Sequence, residues 1–269
     1  MPELPEVETV ARRLRETTRG LAIRAVEVFD PKLDHLLGEQ SPLDAGILDV
    51  VRRGKFLALL LDDDRVLVMH MMMSGRILVR RVDDPPDKYL RAAFTLDGQT
   101  QIRFCDPRRF GTARVIGPDD YKGFQSRLGI EPFSRHFTTR NLTRRLEGRT
   151  VAIKTALLNQ SILAGVGNIY ADEALWRARL SPLLPAGKLD HRQVASLVRA
   201  VRRVLRDGLK AGGTTFGSYA DADGRPGENQ QNLNVFRRTG RPCPRCRTAI
   251  ESEVIGSRTS HFCPRCQRR

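Results

Sequence analysis

The sequence predicts an α+β protein with an N-terminal β-sandwich led by one helix, a helical second half and a cysteine-rich β-hairpin module at the C-terminus. Three observations predict this fold class. At least six short runs of β-type alternation follow the first helical segment. The hydrophobic period then becomes helical from about residue 139. Four of the five cysteines lie in the last 27 residues.

The chain opens with "MPELPEVETV", which predicts a helix over residues 4–20. Pro5 suits the first helical turn, where its missing N–H costs nothing, and Gly20 can end the helix. Apolar residues recur at spacings of three and four, at Leu4, Val7, Val10, Ala11 and Leu14. Helix formation does not account for Pro2 and Glu3. If Met1 is removed, these two residues form a secondary amine beside a carboxylate.

The predicted strands come next and are separated by turn signals such as "DDD" and "LDGQ". Their sequences are "LAIRAVEVF", "ILDVVRRGKFLALLL", "RVLVMHMMM", "RAAFTL", "QTQIRF" and "TARVI". Six or more short strands favour a sandwich or a barrel, and we take the sandwich for residues 1–130. The segment "IEPFSRHFTT" indicates a hinge, which we place at residues 131–138.

Helical patterns follow in "RNLTRRLEG", "VAIKTALLNQ", "NIYADEALWRARL" and "DHRQVASLVRAVRRVLRDGL". Asp190 and Gln193 are spaced as a capping box at the start of the last of these. The next stretch, rich in glycine and aspartate, is too polar to be core. We therefore expect a helical domain over residues 139–234 and a separate cysteine module over residues 235–269.

The charge of the chain favours a polyanionic partner. Lysine and arginine number 46 against 31 acidic residues, which gives a net charge of +15. The apolar run "FLALLL" is too short to span a bilayer, and the acidic, proline-containing N-terminus is not typical of a signal peptide. We expect a cytoplasmic protein without a membrane partner.

The terminal cysteines have the spacing of a zinc site. They form C-x2-C-x16-C-x2-C with Cys243, Cys246, Cys263 and Cys266. Two such knuckles can close a tetrahedral thiolate site around one structural Zn²⁺. Cys105 stands apart from them, and we interpret it as a small buried apolar residue.

The cysteine module is also strongly basic. From residue 235 onward it has nine arginines, no lysine and only two glutamates. An arginine also lies on its connecting loop, "GSRTSHF". Both a nucleic-acid contact and a purely structural zinc knuckle remain open from these residues alone.

Several separated stretches resemble the formamidopyrimidine-DNA glycosylase family, in order and over nearly the full length. They are "PELPEVET", "RRGKF", "MSG", "DPRRFG", "LGIEP", "AIK", "GVGNIYADE", "GGTT", "DGRPG" and the four-cysteine module. The resemblance implies a helix-two-turns-helix element in the second half and a zinc-finger β-hairpin. It also implies a bifunctional DNA glycosylase and abasic-site lyase that acts on double-stranded DNA.

The resemblance implies that the Pro2 nitrogen attacks the sugar C1′ of a flipped-out nucleotide. The resulting iminium has no N–H to lose, so its charge persists and drives β and δ elimination. Glu3 is then the proton donor and shuttle, and Glu6 braces the helix start and the nucleophile. Lys55 is a catalytic ammonium near the lesion.

The remaining DNA-binding residues also follow from the resemblance. It implies phosphate or lesion contacts for His70, Lys154, Asn168 and Arg258. It further implies that Met73, Arg108 and Phe110 fill the space left by the extruded base, with Arg108 reading the orphaned partner base.

The chain departs from the family pattern at three places. In "HMMMSG", Met71 and Met72 replace a more usual leucine-glycine pair. Phe236 stands where a phosphate-contacting tyrosine is usual, and Glu228–Gln231 replace an expected aromatic residue after "GRPG". The change at Glu228–Gln231 lies in the loop that caps the extruded base, so it bears on lesion preference more than on catalysis.

The sequence therefore predicts a monomeric base-excision repair enzyme for oxidised purines, chiefly 8-oxoguanine opposite cytosine and formamidopyrimidines. One alternative is an endonuclease VIII type enzyme for oxidised pyrimidines, which the set of Met73, Arg108 and Phe110 disfavours. The other is a non-catalytic, zinc-dependent protein that binds damaged DNA. That alternative gives the Pro2 and Glu3 pair no role.

Overall fold

The structure is a computed structural model that describes residues 1–37 and 41–268. The chain divides into two compact units. The first comprises Met1–Ser126 with Leu209–Gln230, and the second comprises Arg127–Gly208 with Gln231–Arg269. Each unit is therefore built from two separate stretches of the chain.

The first unit contains two four-stranded antiparallel sheets and a leading helix, as the sequence predicts. Its elements are α1 (Leu4–Thr18), β1 (Ile23–Val28), α2 (Pro31–Leu37), β2 (Ile47–Arg53), β3 (Phe56–Leu61), β4 (Val66–His70), β5 (Arg76–Arg81), β6 (Leu90–Leu96), β7 (Thr100–Cys105), β8 (Thr112–Ile116) and α3 (Pro118–Arg127). One sheet has the order β1-β6-β7-β5 and the other the order β2-β3-β4-β8.

The core of this unit lies under α1. The helix contributes the buried side chains Val7, Val10 and Leu14, which join apolar residues of both sheets, such as Phe94 and Leu59. Burial of these side chains at spacings of three and four explains why the N-terminal segment is helical. The helix thus holds the start of the chain against the sandwich.

The segment 209–230 packs with the first unit, although its place in the sequence suggested the helical domain. Tyr219 and Ala222 belong to the N-terminal core cluster. The backbone N–H of Val79 donates to the carbonyl oxygen of Ala222 at 2.8 Å. The side chains of Arg13 and Asp223 form an ion pair at 2.8 Å. Packing and charge together attach this loop to the sandwich.

The elements of the second unit are mainly helical. They are α4 (Thr139–Leu146), α5 (Ile153–Leu158), α6 (Asn168–Ala178), α7 (His191–Lys210, which continues into the first unit at its end), β9 (Glu251–Ile255) and β10 (Arg258–Phe262). The predicted capping box is confirmed, because Asp190 and Gln193 exchange backbone-to-side-chain hydrogen bonds of 2.8 and 2.9 Å.

The segment proposed as a hinge, residues 131–138, is held within the second unit. Arg202 on α7 donates to the carbonyl oxygens of Pro132, Ser134 and Phe137 at 2.8–3.2 Å. Its guanidinium also lies over the Phe137 ring, 5.4 Å from the centroid. Among the described residues, no helix is both long and apolar enough to span a membrane.

Candidate functional site

The second and third residues of the chain are buried, although the first is exposed. Met1 is 46% exposed, whereas Pro2 is buried and Glu3 is only 2% exposed. Glu3 occupies the N-cap position of α1, so the positive end of the helix lies beside it. While Met1 is attached, the Pro2 nitrogen is an amide. Removal of Met1 converts it to a secondary amine in a largely buried position.

The Glu6 carboxylate fixes this region from one turn further along the helix. One of its oxygens accepts from the backbone N–H of Glu3 at 2.8 Å, and the other accepts from the N–H of Thr214 at 2.7 Å. Glu6 is only 1% exposed, so water does not compete for these bonds. The carboxylate therefore joins the beginning of the chain to the segment 209–230.

Gly213 must be a glycine for Glu6 to approach this closely. Its φ is +90°, and a Cβ atom there would lie 2.9 Å from the Glu6 Cγ. Asn229 donates to the Thr214 hydroxyl at 2.9 Å, and Gln230 accepts from the N–H of Thr215 at 3.0 Å. The polar residues that replace the expected aromatic thus help to organise this loop.

Lys55 and His70 form a buried basic pair in the same unit, 6% and 8% exposed. Burial, together with the nearby Lys55 charge, lowers the pKa of His70 to about 4. The His70 Nδ1 accepts from the backbone N–H of Met72 at 3.0 Å. The neutral ring therefore keeps its proton on Nε2, which is suited to donate to an anion.

Met73, Arg108 and Phe110 come together on the surface of the first unit. The Arg108 guanidinium lies 4.8 Å from the centroid of the Phe110 ring, and its Nη1 lies 3.7 Å from the Met73 sulfur. Met73 and Phe110 are 46% and 45% exposed. Two apolar side chains flanking one arginine are therefore available to a partner.

Asp106 holds the two loops of this cluster together. It is 1% exposed and accepts from the Ser74 hydroxyl at 2.6 Å, beside Met73. It also accepts from the backbone N–H groups of Arg108, Phe110 and Gly111 at 2.7–3.1 Å. Burial alone raises the pKa of Asp106, but these hydrogen bonds outweigh it and the pKa is lowered.

In the second unit, the N-terminus of α6 faces the hairpin formed by β9 and β10, which we call the zinc hairpin. Gly167 is the N-cap of α6, and the Asn168 side-chain nitrogen donates to the carbonyl oxygen of Thr259 at 3.0 Å. Arg258 is exposed at the start of β10, directly after the turn of Gly256 and Ser257. Asn168 and Arg258 therefore belong to one local surface.

Lys154 differs from the other predicted DNA-binding residues. It is 0% exposed and forms a buried ion pair with Asp172 of α6. The Asp172 carboxylate also accepts from the backbone N–H of His261. The ammonium of Lys154 is therefore engaged inside the second unit rather than presented to solvent.

The four terminal cysteines converge as the spacing predicts. Their Sγ atoms all lie within 4.8 Å of one another, and those of Cys246 and Cys263 are 3.4 Å apart. Zn–S bonds of about 2.3 Å in a tetrahedron need sulfur separations of roughly 3.8 Å, so the donor set fits zinc. The indole N–H of Trp176 donates to the Cys243 sulfur at 3.5 Å.

The structure thus groups the sequence-predicted residues within each unit. The first unit contains Pro2, Glu3, Glu6, Lys55, His70, Met73, Arg108 and Phe110, and the second contains Lys154, Asn168, Arg258 and the four cysteines. Sequence reasoning missed Asp106, Thr214 and Asp172. Asp106 was detectable, because an aspartate that opens a turn such as "DPRRFG" often accepts the following N–H groups.

Comparisons with known proteins cover the whole chain. Residues 1–113 match the model of the formamidopyrimidine-DNA glycosylase N-terminal domain, and residues 128–220 match that of its H2TH domain. Residues 240–269 match a zinc finger found in FPG and IleRS.

A formamidopyrimidine-DNA glycosylase of Herpetosiphon aurantiacus is 41% identical, covering 99% of this chain and 100% of that protein. A mutant Lactococcus lactis FPG in complex with Fapy-dG-containing DNA has a TM-score of 0.90 at 31% identity, with both chains covered completely. MutM in complex with DNA containing carbocyclic 8-oxo-G also scores 0.90, at 32% identity and complete coverage of both chains.

The four cysteines bind one structural zinc ion, and its removal should disorder the zinc module. We expect Cys243→Ser to lower bound zinc below one per chain, because thiolate ligands supply the folding energy of such a module. Trp176 is the only tryptophan of the chain and contacts Cys243, so its fluorescence should change as well.

Cys105→Ser is the matched control, because Cys105 is buried in the first unit and is not one of the four clustered cysteines. It should leave zinc content and Trp176 fluorescence as in the wild-type protein. Full zinc occupancy in Cys243→Ser, measured by elemental analysis, would contradict the assignment of this ligand.

Proposed function

The chain belongs to the formamidopyrimidine-DNA glycosylase family, and on that basis we propose that Pro2, freed by removal of Met1, is its nucleophile toward oxidised purines in DNA. The protein is a DNA glycosylase and abasic-site lyase of base-excision repair. Its substrate is double-stranded DNA that contains a lesion or an abasic site. We place it in the cytoplasm with the DNA, acting as a monomer.

One observation carries this mechanism. Pro2 and Glu3 are buried at the N-terminus of α1, and Glu6 anchors the backbone of Glu3 at 2.8 Å. A nucleophile needs a fixed position relative to the atom it attacks, and an ordinary chain terminus does not have one. The buried and anchored start of this chain supports a catalytic role for its terminal amine.

The chemical steps then follow from the groups present. The lone pair of the Pro2 nitrogen forms a bond to C1′, and the glycosidic bond breaks with its electron pair leaving on the base, which takes up the proton that the nitrogen loses. Glu3 donates a proton to the sugar ring oxygen, which opens the ring and gives the iminium. The Glu3 carboxylate takes a proton from C2′ and the 3′ phosphate leaves, and loss of a second proton, from C4′, expels the 5′ phosphate.

We assign supporting roles in the reaction to two buried basic residues. Lys55 provides positive charge, and His70 provides a neutral hydrogen-bond donor. The low pKa of His70 keeps its ring neutral near pH 7, so we assign it a hydrogen bond from Nε2 to a phosphate. Lys55 remains the catalytic ammonium near the lesion. Asn168 and Arg258 are assigned phosphate contacts from the second unit.

We assign the cluster of Met73, Arg108 and Phe110 to the space vacated by the extruded base. Its exposure and its anchoring through Asp106 support this role, because a wedge must keep its shape while it separates stacked bases. The guanidinium of Arg108 can donate to the acceptors of cytosine. It would meet an amino group on adenine.

Family membership disfavours the two alternatives from the sequence. A non-catalytic binder gives no role to a secondary amine at Pro2, and oxidised pyrimidines do not explain the arginine between two apolar residues. We propose 8-oxoguanine opposite cytosine and formamidopyrimidines as the chief lesions. The polar loop at Glu228–Gln231 is the feature most able to change their ranking.

Pro2→Gly should abolish most excision of 8-oxoguanine while the protein still binds the duplex. A primary amine on a flexible residue is a poorly positioned nucleophile. Single-turnover excision and duplex affinity are the measurements, with Pro5→Ala as the matched control at a proline that only starts the helix. Normal excision by a protein of verified mass that retains Met1 would refute the mechanism.

Arg108→Ala should reduce the preference for cytosine over adenine opposite the lesion. A good bidentate base contact is worth about 1–3 kcal/mol of discrimination, so the ratio of excision rates should fall roughly fivefold or more. Arg109→Ala is the control, because Asp30 holds that guanidinium at 2.6–2.8 Å. An unchanged ratio in Arg108→Ala would remove this residue from the reading role.

A further inference from the structure

The zinc hairpin has one strand edge that is occupied by side chains of α6. Within residues 1–37 and 41–268, the strand β10 pairs with β9 alone. On its other side, the Thr259 carbonyl oxygen accepts from Asn168, and the His261 backbone N–H donates to Asp172 at 3.0 Å. The backbone groups of residues two apart on a strand point to the same side. Two side chains of α6 therefore bind the edge of β10 at which a further strand could pair.

The tip of the hairpin rests on α5. A Cβ atom at Gly256 would lie 3.0 Å from the Thr155 hydroxyl oxygen, and Gly256 has a φ of +55°. Lys154 is the neighbour of Thr155 on the same helix. The hairpin is thus contacted at its tip, in its middle and at its end by two helices of its own unit.

Asp172 links the end contact to Lys154. One carboxylate oxygen pairs with the Lys154 ammonium, and the other accepts from both the backbone N–H and the ring Nδ1 of His261, at 3.0 and 3.1 Å. Lys154 and Asp172 are 0% and 1% exposed. Lys154 is the ion-pair partner of this buried carboxylate, and removing one partner of a buried ion pair is strongly destabilising, so the strand contact depends on Lys154.

We propose that Lys154 is a positioning residue that acts through Asp172 and His261 on Arg258. Arg258 lies at the exposed start of β10, three residues before His261. Its ammonium does not contact DNA. It pairs with the Asp172 carboxylate and keeps it aimed at β10, and this sets where the hairpin presents Arg258. The inference rests on the proposed phosphate contact of Arg258.

A double-mutant cycle separates positioning from direct contact. The variants are Lys154→Met, Arg258→Ala and their combination, measured by affinity for an abasic-site duplex over a range of salt concentrations. Arg258→Ala should weaken binding and reduce the slope of log affinity against log salt by about 0.9, as for one lost phosphate contact.

Lys154→Met should weaken binding in the same direction, and the combined variant should bind no more weakly than Arg258→Ala alone. Lys154→Arg should recover part of the loss, because it restores the cation. If the losses multiply and the salt slope falls by two contacts, Lys154 binds DNA independently and the proposal is wrong.

His261→Phe tests the same path with less risk to folding. It keeps an aromatic ring against Phe236, whose centroid lies 5.1 Å away, and it keeps the backbone bond to Asp172. It removes only the ring hydrogen bond. The proposal predicts a smaller loss of affinity that disappears in the Arg258→Ala background, and a loss that persists there would overturn it.

Zinc content and Trp176 fluorescence establish that each variant is folded. If Arg258→Ala leaves affinity and salt slope unchanged, the proposed phosphate contact fails and the positioning role fails with it. If Arg258→Ala behaves as expected and the cycle is additive, the positioning role alone fails.

Discussion

The catalytic end of this protein depends on one buried carboxylate. Glu6 accepts hydrogen bonds from the backbone of Glu3 and from Thr214, which is 208 positions away in sequence. Both bonds are shielded from water, so neither partner can leave without a substantial desolvation cost. The terminal amine and the segment 209–230 therefore share one support. That segment includes Glu228, Asn229 and Gln230 of the polar stretch that replaces the expected aromatic, so these residues share this support with the start of the chain.

Buried carboxylates accept hydrogen bonds from other backbone segments of this strongly basic chain as well. Asp106 joins the two loops that carry Met73, Arg108 and Phe110. Asp172 accepts from the backbone of β10 in the zinc hairpin. Glu173 accepts from the backbone N–H groups of residues 234–236. All three carboxylates are at most 3% exposed. Buried carboxylates thus organise the backbone, while Arg108 and Arg258, to which we assign DNA contacts, remain exposed.

Local signals predicted much of the fold and of the site. The spacing of apolar residues in α1, the capping box at Asp190 and the cysteine spacing all act over a few residues, and the structure confirms them. The strand Arg76–Arg81 was missed, because arginines at both of its ends obscure the alternation. The bond between Glu6 and Thr214 and the burial of Lys154 arise from tertiary packing, which no local pattern encodes.

The most direct test of this account is the position of the covalent bond to DNA. The protein is reacted with an abasic-site duplex, reduced with borohydride and digested with trypsin, and the sugar remnant is located by mass spectrometry. If Pro2 is the nucleophile, the remnant lies on the N-terminal nitrogen of the peptide that begins at Pro2 and ends at Arg12. A remnant on Lys55 or Lys154, or on a peptide that retains Met1, would contradict this assignment.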